Sequence, residues 1–261
     1  MNETIKERGI PFSGEMVRAI PDGRKTQTRR IIKPQPDYSR LKPYVILKAH
    51  RCPELGPVHL GRRQWGLYVE PYNARDVPYV AYNCPYGVPG DRLWVREAFA
   101  YVRENKLGPH RQPCPSHLYR RTALPQWPEP HDRRIIWKAD GAFLFRDGTD
   151  VKWKPSIHMP RWGSRILLEI TDIRVERVQE IGIYDVAAEG VDCTGLIEGF
   201  EIEADGRADG NEYDAPDDFV QIAKEKFATL WDSLNAKRGY GWDANPWVWV
   251  IAFKQIVNVN D

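Results

Sequence analysis

The pattern of apolar and polar positions predicts three long elements in the second half of the chain. Apolar residues alternate with polar ones over residues 164–181, which predicts a β-strand. Over residues 217–239 they recur at helical spacing, with acids at the start and a glycine beyond the end, which predicts an amphipathic helix. The nearly continuous apolar run of residues 245–256 is typical of a strand that is covered on both faces.

Shorter patterns predict further helices and strands. Ser13 is a good N-cap for a helix that ends before Gly23, and the segment IYDVAAEG predicts a second short helix that ends at Gly190. Turn residues precede a predicted strand over residues 92–95, and another strand is predicted from Ile135. These elements predict a mainly β protein with peripheral helices, of the α+β class.

Three segments, 34–83, 104–150 and 192–216, lack a sustained period, and we interpret them as insertions in a single domain that spans residues 1–261. Residues 58–72, within the first of them, could form a hairpin. Residues 198–218 carry nine acids against one arginine, Arg207, and are typical of a solvated acidic loop.

Composition narrows the class of protein. The net charge of +2 gives no general reason to expect tight binding to nucleic acid. No apolar stretch approaches the roughly 20 residues that cross a bilayer, and the N-terminus lacks the apolar core of a signal peptide. Four cysteines at irregular spacing form no disulfide framework. We therefore expect a cytoplasmic protein without a membrane partner.

The segment AIPDGRKTQTRRIIKP (19–34) concentrates positive charge. It holds five basic residues and no acid between positions 24 and 33: Arg24, Lys25, Arg29, Arg30 and Lys33. Three interpretations are open from the residues alone. The segment is a solvated loop, a strip that binds phosphate, or a site at which a lysine activates a threonine hydroxyl.

The order of motifs resembles the ASCH family, which is related to the PUA fold. The resemblance rests on FSGEMVRAI and DGRKTQTRR, then CPYGVPGDRLWVREAF, then WKPSIHMPRWGSRILLEITDIRVERVQEI, and finally LWDSLNAKRGYGWDANPWVWVIAF. It is closest to the large ASCH-like proteins of tailed phages and prophages. The resemblance implies a PUA-like β-barrel, enlarged here by long loop insertions, and a bacterial host cytoplasm if the chain is phage-encoded.

The resemblance also implies a site. Small ASCH enzymes are amidohydrolases of N4-acylated cytidine, with the pattern G-x-K-x-x-T and a glutamate in a later short helix. Gly23, Lys25 and Thr28 match the first motif, and Glu189 is the match for the second. Thr28 is then the nucleophile, Lys25 its base, and Glu189 an acid or an orienting group. Lys25 and Thr28 can meet only if the chain bends after Gly23 before it enters a strand.

Other residues are candidates for binding the substrate. Arg24, Arg29 and Arg30 can support the site electrostatically or contact phosphate, and Trp162 and Tyr86 can stack on a base. The expected partner is a modified nucleoside or single-stranded nucleic acid. Two alternatives to amide hydrolysis stay open: a non-catalytic module that binds RNA, DNA or a modified base, and a ribonuclease.

No cofactor is expected from the sequence. His110, Cys114 and His117 have spacings that a metal could use, but without a C-x-x-C pair we interpret them as scattered loop residues. The chain also lacks a P-loop, a dinucleotide fingerprint and a G-x-S-x-G elbow.

Overall fold

The computed structural model describes residues 5–36, 47–51, 64–69, 80–103, 133–141, 151–197 and 217–256. The protein is of the mixed α+β class, with sheets at its core. Its strands are β1 (Glu7–Pro11), β2 (Gln27–Ile31), β3 (Leu47–Arg51), β4 (Gln64–Val69), β5 (Val80–Asn83), β6 (Arg92–Arg96), β7 (Phe99–Arg103), β8 (Arg133–Trp137), β9 (Leu167–Arg177) and β10 (Trp247–Gln255). Its helices are α1 (Gly14–Ala19), α2 (Ile183–Ala188) and α3 (Asp217–Asn235).

The chain divides into two compact units, each made of separate segments. The first unit comprises Met1–Gly23, Gly90–Ile170 and Phe253–Asp261, and the second comprises Arg24–Pro89 and Thr171–Ala252. The long strands β9 and β10 therefore contribute residues to both units.

In the first unit, β6 lies between β1 and the first part of β9. It runs parallel to β1, with Arg92 opposite Glu7, and antiparallel to β9, with Arg92 opposite Glu169. Strands β7 and β8 form a separate antiparallel pair. The alternation of the strands buries one apolar row, which consists of Ile10, Leu93, Val95, Leu168 and Ile170.

In the second unit, β2 pairs antiparallel with β10. Thr28 lies opposite Ile251, Arg29 opposite Val250, and Arg30 opposite Trp249. Directly opposite residues point to the same face, so Arg29 and Val250 share one face while Thr28 and Ile251 share the other. A second sheet has the order β3-β4-β5, with both pairs antiparallel.

Helices α2 and α3 cover one face of the β2–β10 pair. Their apolar residues pack with Val248 and Val250 in one core, whose helical members are Ile183, Val186, Ala223, Phe227 and Trp231. Helix α2 ends at Glu189, its C-cap residue, and Gly190 follows with a positive φ of 87°. This left-handed conformation favours glycine and turns the chain away from the helix.

The structure confirms the predicted helices and the long strands β9 and β10. The predicted β-barrel is not confirmed, because the strands in the described part of the chain form sheets and no closed barrel. The hairpin predicted within residues 58–72 is not formed by β4, because β4 pairs with β3 before it and with β5 after it. Part of segment 34–83, interpreted as irregular, is thus a three-stranded sheet.

Some predictions concern residues outside the described ranges. His110, Cys114 and His117 lie there, as do residues 198–216 of the acidic segment. Within the described ranges, no group of three or more histidine, cysteine or acidic side chains could hold a metal ion. None of the helices in these ranges is long and apolar enough to span a membrane.

Candidate functional site

The predicted bend after Gly23 is present in the backbone. Gly23 has a φ of 73°, which is in the left-handed region, and β2 does not begin until Gln27. Between them, Lys25 forms an isolated antiparallel bridge with Glu189, and the Thr26 amide donates to the Ala188 carbonyl at 2.9 Å. The bend therefore brings the start of β2 against the end of α2.

Lys25 and Glu189 form a buried ion pair at this junction. The Lys25 ammonium donates to Glu189 Oε2 at 3.0 Å and to the Glu189 carbonyl at 2.6 Å. The side chain of Lys25 is 0% exposed and that of Glu189 is 4% exposed. Burial strengthens the attraction between two such charges, but it also removes both from water, so the pair depends on these hydrogen bonds.

The surroundings shift the pKa of Lys25 downward. Burial is the largest cause, and the positive charges of Arg30 and Arg29 lower the pKa further, while Glu189 opposes the shift. A lowered pKa increases the fraction of Lys25 that is neutral near physiological pH, and only the neutral amine can accept a proton. The direction of this shift is the one that a lysine base requires.

Arg29 lies inside the protein rather than at its surface. Its Nη2 donates to Asp185 Oδ2 at 2.6 Å and to Glu176 Oε2 at 3.2 Å, and its Nη1 lies 3.5 Å from Glu189 Oε1. Its guanidinium also lies over the Phe227 ring, 6.0 Å from the centroid. An external phosphate would have to displace these carboxylates, so this placement favours a structural role over the predicted contact with phosphate.

Thr28 and Arg30 lie on the other face of β2. Thr28 is 3% exposed and Arg30 is half-buried. Burial lowers the pKa of the Arg30 guanidinium and Arg238 adds to this effect, whereas Tyr86 and Glu189 counteract it. Arg30 and Tyr86 thus lie within electrostatic reach of one another.

The remaining predicted binding residues are Arg24 and Trp162. Arg24 is exposed to solvent. Trp162 belongs to the first unit, where its ring lies 6.0 Å from that of Tyr101 and packs against a core of Phe99, Ile135 and Met159. In the second unit the structure brings Lys25, Glu189 and Arg29 together, and in the first unit Trp162 belongs to an aromatic cluster.

Three charged residues of the site were not identified from the sequence: Arg174, Glu176 and Asp185. Arg174 donates to Asp185 Oδ2 at 2.6 Å and also to Glu176, so it shares both acids with Arg29. The spacing offered a signal, because Asp185 and Glu189 are four residues apart and share one face of α2. Likewise Arg174 and Glu176 are two residues apart in β9, so their side chains point to the same face of that strand.

The resulting cluster is balanced in charge. Three cations, Lys25, Arg29 and Arg174, are paired with three acids, Glu176, Asp185 and Glu189. We call these six residues the ionic cluster. Burial disfavours ionised Asp185, yet the charges of Arg29 and Arg174 outweigh it and hold its pKa below the usual range. The cluster can position a carboxylate and a lysine with little net charge to attract a polyanion.

Comparison with models of protein families, with characterised proteins and with solved structures finds no match for this chain. The geometry of the site and the motifs of the chain are therefore the features that bear on its function.

Proposed function

We propose that the protein is an ASCH-type, PUA-like hydrolase that cleaves an amide on a modified pyrimidine nucleoside, of the N4-acylated cytidine class. The observation that carries the proposal is the contact between the Lys25 ammonium and Glu189 Oε2, 3.0 Å apart and buried. Lys25 of the G-x-K-x-x-T motif and Glu189 are 164 positions apart along the chain, yet their side chains meet. The fold supports this through the bend at Gly23 and the end of α2.

The chemistry uses Thr28 as the nucleophile. Thr28 lies on the face of β2 opposite to Arg29, so neutral Lys25 takes the proton of the Thr28 hydroxyl through one bridging water. The Thr28 oxygen attacks the acyl carbonyl carbon as the proton leaves, and a tetrahedral oxyanion forms. The carbon–nitrogen bond then breaks, the proton passes to the leaving amine of cytosine, and an acyl-threonine ester remains. Water hydrolyses that ester and releases the carboxylic acid. Burial of Lys25 supports the first step because it enlarges the neutral fraction of the base.

Glu189 acts as the orienting group rather than as the acid. Its two carboxylate oxygens face two different cations, Lys25 at Oε2 and Arg29 at Oε1. A carboxylate that accepts hydrogen bonds from both sides is suited to fixing the Lys25 amine, and it has no proton to give to the leaving group.

A small nucleoside fits this site better than a polymer does. Phosphate recognition requires cationic side chains that are accessible and not already neutralised. The guanidinium of Arg29 is 0% exposed and engaged by carboxylates, and Lys25 is equally enclosed. This observation favours the amidohydrolase over the ribonuclease alternative.

The test is incubation of the purified protein with N4-acetylcytidine, with release of cytidine followed by chromatography. Lys25→Ala and Thr28→Ala are each expected to lower kcat/KM by about 10² or more, in the range found for groups that act as base or nucleophile. Thr26→Ala is the matched control for Thr28, because Thr26 is exposed and its contact with Ala188 uses only the backbone. Circular dichroism verifies the fold of each variant.

Three outcomes would contradict the proposal. The folded wild-type protein could release no cytidine, or Thr28→Ala could retain full turnover. In the third outcome, the wild-type protein would bind the nucleoside without turnover, which would support a non-catalytic binding module. Labelled single-stranded RNA serves as a separate substrate, and its cleavage would support the ribonuclease alternative.

A further inference from the structure

The two terminal nitrogens of the Arg29 guanidinium contact different carboxylates. Nη1 faces Glu189 Oε1 at 3.5 Å, whereas Nη2 lies between Asp185 Oδ2 at 2.6 Å and Glu176 Oε2 at 3.2 Å. Arg29 therefore touches α2 at two positions one turn apart and also touches β9. A planar guanidinium keeps these directions fixed relative to one another, which the single charged nitrogen of a lysine cannot do.

We propose that Arg29 is a positioning residue that fixes the carboxylate of Glu189 against Lys25, and that Asp185 anchors Arg29 for this task. The inference rests on the proposed function, because it assigns Glu189 the orienting role in that reaction. Lys25 holds Glu189 Oε2 and Arg29 holds Oε1, so rotation of the carboxylate would break one contact or the other.

The charge of Arg29 acts on Lys25 as well. The charged groups that act on the Lys25 amine are Glu189 at the end of α2, and Arg29 and Arg30 on β2. Glu189 favours the ammonium form, whereas the two arginines favour the neutral amine. Removal of the Arg29 charge is therefore expected to raise the pKa of Lys25 and to move the acid limb of the kcat/KM profile to higher pH.

A purely structural clamp would behave differently. In that case, substitution of Arg29 would lower the melting temperature and would lower activity only in proportion to the unfolded fraction. It would leave the pH profile of the folded enzyme unchanged. The pH profile and the titration of Lys25 are therefore the readouts that separate a positioning role from a structural one.

The experiment compares Arg29→Lys, which keeps the charge but loses the fork, with Arg29→Gln, which loses the charge. The Lys25 Cε resonance is followed by ¹³C NMR as pH rises and is assigned by its absence in Lys25→Met. Arg29→Gln is expected to raise the pKa of Lys25 by about one unit, whereas Arg29→Lys is expected to leave it near the wild-type value. Arg29→Lys should also lower kcat about tenfold or more at unchanged KM.

The matched control is Arg177→Lys. Arg177 donates to the Asn245 carbonyl at 2.8 Å and lies over the Trp247 ring. It follows Glu176 in β9 and therefore points to the opposite face of that strand, so neither the Lys25 titration nor turnover should change. If Lys25 titrates as in the wild type in folded Arg29→Gln, the inference is overturned. If Arg29→Gln does not fold, Arg29→Lys decides, and unchanged kcat overturns the inference.

The NMR titration needs no substrate. Wild-type protein that fails to hydrolyse N4-acetylcytidine but shows the expected shift of Lys25 in Arg29→Gln would contradict the proposed reaction and leave the link between Arg29 and Lys25 intact. Hydrolysis by the wild type together with an unshifted Lys25 would contradict the role of Arg29 alone.

Discussion

Replacement of Glu189 by glutamine removes a charge while nearly preserving shape, and the structure sets the size of the effect. The buried Lys25 ammonium loses its carboxylate partner at 3.0 Å and remains close to Arg29 and Arg30. If Lys25 stays charged, a broken buried pair costs about 3–5 kcal/mol of unfolding free energy. We therefore expect a loss of about 3–5 kcal/mol.

The loss should shrink as pH rises. Between its folded pKa and the ordinary value of 10.5, a lysine with a lowered pKa binds fewer protons in the folded state than in the unfolded state. Without Glu189, which raises the pKa of Lys25, the lysine of the variant loses its proton at lower pH than the wild-type lysine does. Where the wild-type lysine is still charged and that of the variant is neutral, the loss falls by about 1.4 kcal/mol per pH unit, so it should be smaller near pH 9.5 than at neutral pH.

Urea denaturation followed by tryptophan fluorescence, at neutral pH and near pH 9.5, measures both values. The control is Glu169→Gln, because Glu169 pairs with the exposed Lys254 at 3.0 Å and should lose less than about 1 kcal/mol at either pH. A neutral-pH loss for Glu189→Gln as small as the control, or a loss that does not change with pH, would refute the electrostatic argument.

Two further predictions concern the first unit. Arg165→Met should lower the unfolding free energy by about 3–5 kcal/mol, because it leaves Glu97 buried without the hydrogen bonds that Arg165 Nε and Nη2 now donate at 2.8 and 2.9 Å. Burial raises the pKa of Glu97, so this loss should be smaller in acid, where Glu97 is protonated; urea titrations at two pH values that gave equal losses would argue against this cause. Gly9→Ala should cost about 1–3 kcal/mol, because the new Cβ would lie 2.7 Å from Trp94 Cζ2. In the control Gly14→Ala the nearest atom is 3.7 Å away, and equal melting temperatures for the two alanine variants would contradict the steric argument.

The sequence predicted those elements in which a regular local spacing of apolar residues reflects the buried face. The alternation of β9 and the helical spacing of α3 reflect which face of each is covered, and both elements form near the predicted bounds. The bend at Gly23 followed from the conformational freedom of that residue. These features depend on residues that are close together in the chain, and the pattern of a single sequence contains that information.

The ionic cluster could not be predicted in the same way. Arg29 meets Glu176, Asp185 and Glu189 across 147 to 160 positions of the chain, and no local pattern says which charges will lie opposite one another. One part of the answer was accessible, however. Adjacent residues of a strand point to opposite faces, so Arg29 and Arg30 cannot both contact a ligand from the same face of β2. From the sequence alone the basic segment looked uniform, because the position of β2 within it was unknown.

The alternation of β2 also limits how this segment can change in length. Gly23 fixes the bend on one side and the pairing with β10 fixes the register on the other, with Arg29 opposite Val250. Insertion or deletion of one residue between them would exchange the environments of Arg29 and Arg30, and would move one arginine away from all three carboxylates at once. This stretch should therefore tolerate many substitutions at Arg24 and Thr26, which are exposed, but no change in the number of residues.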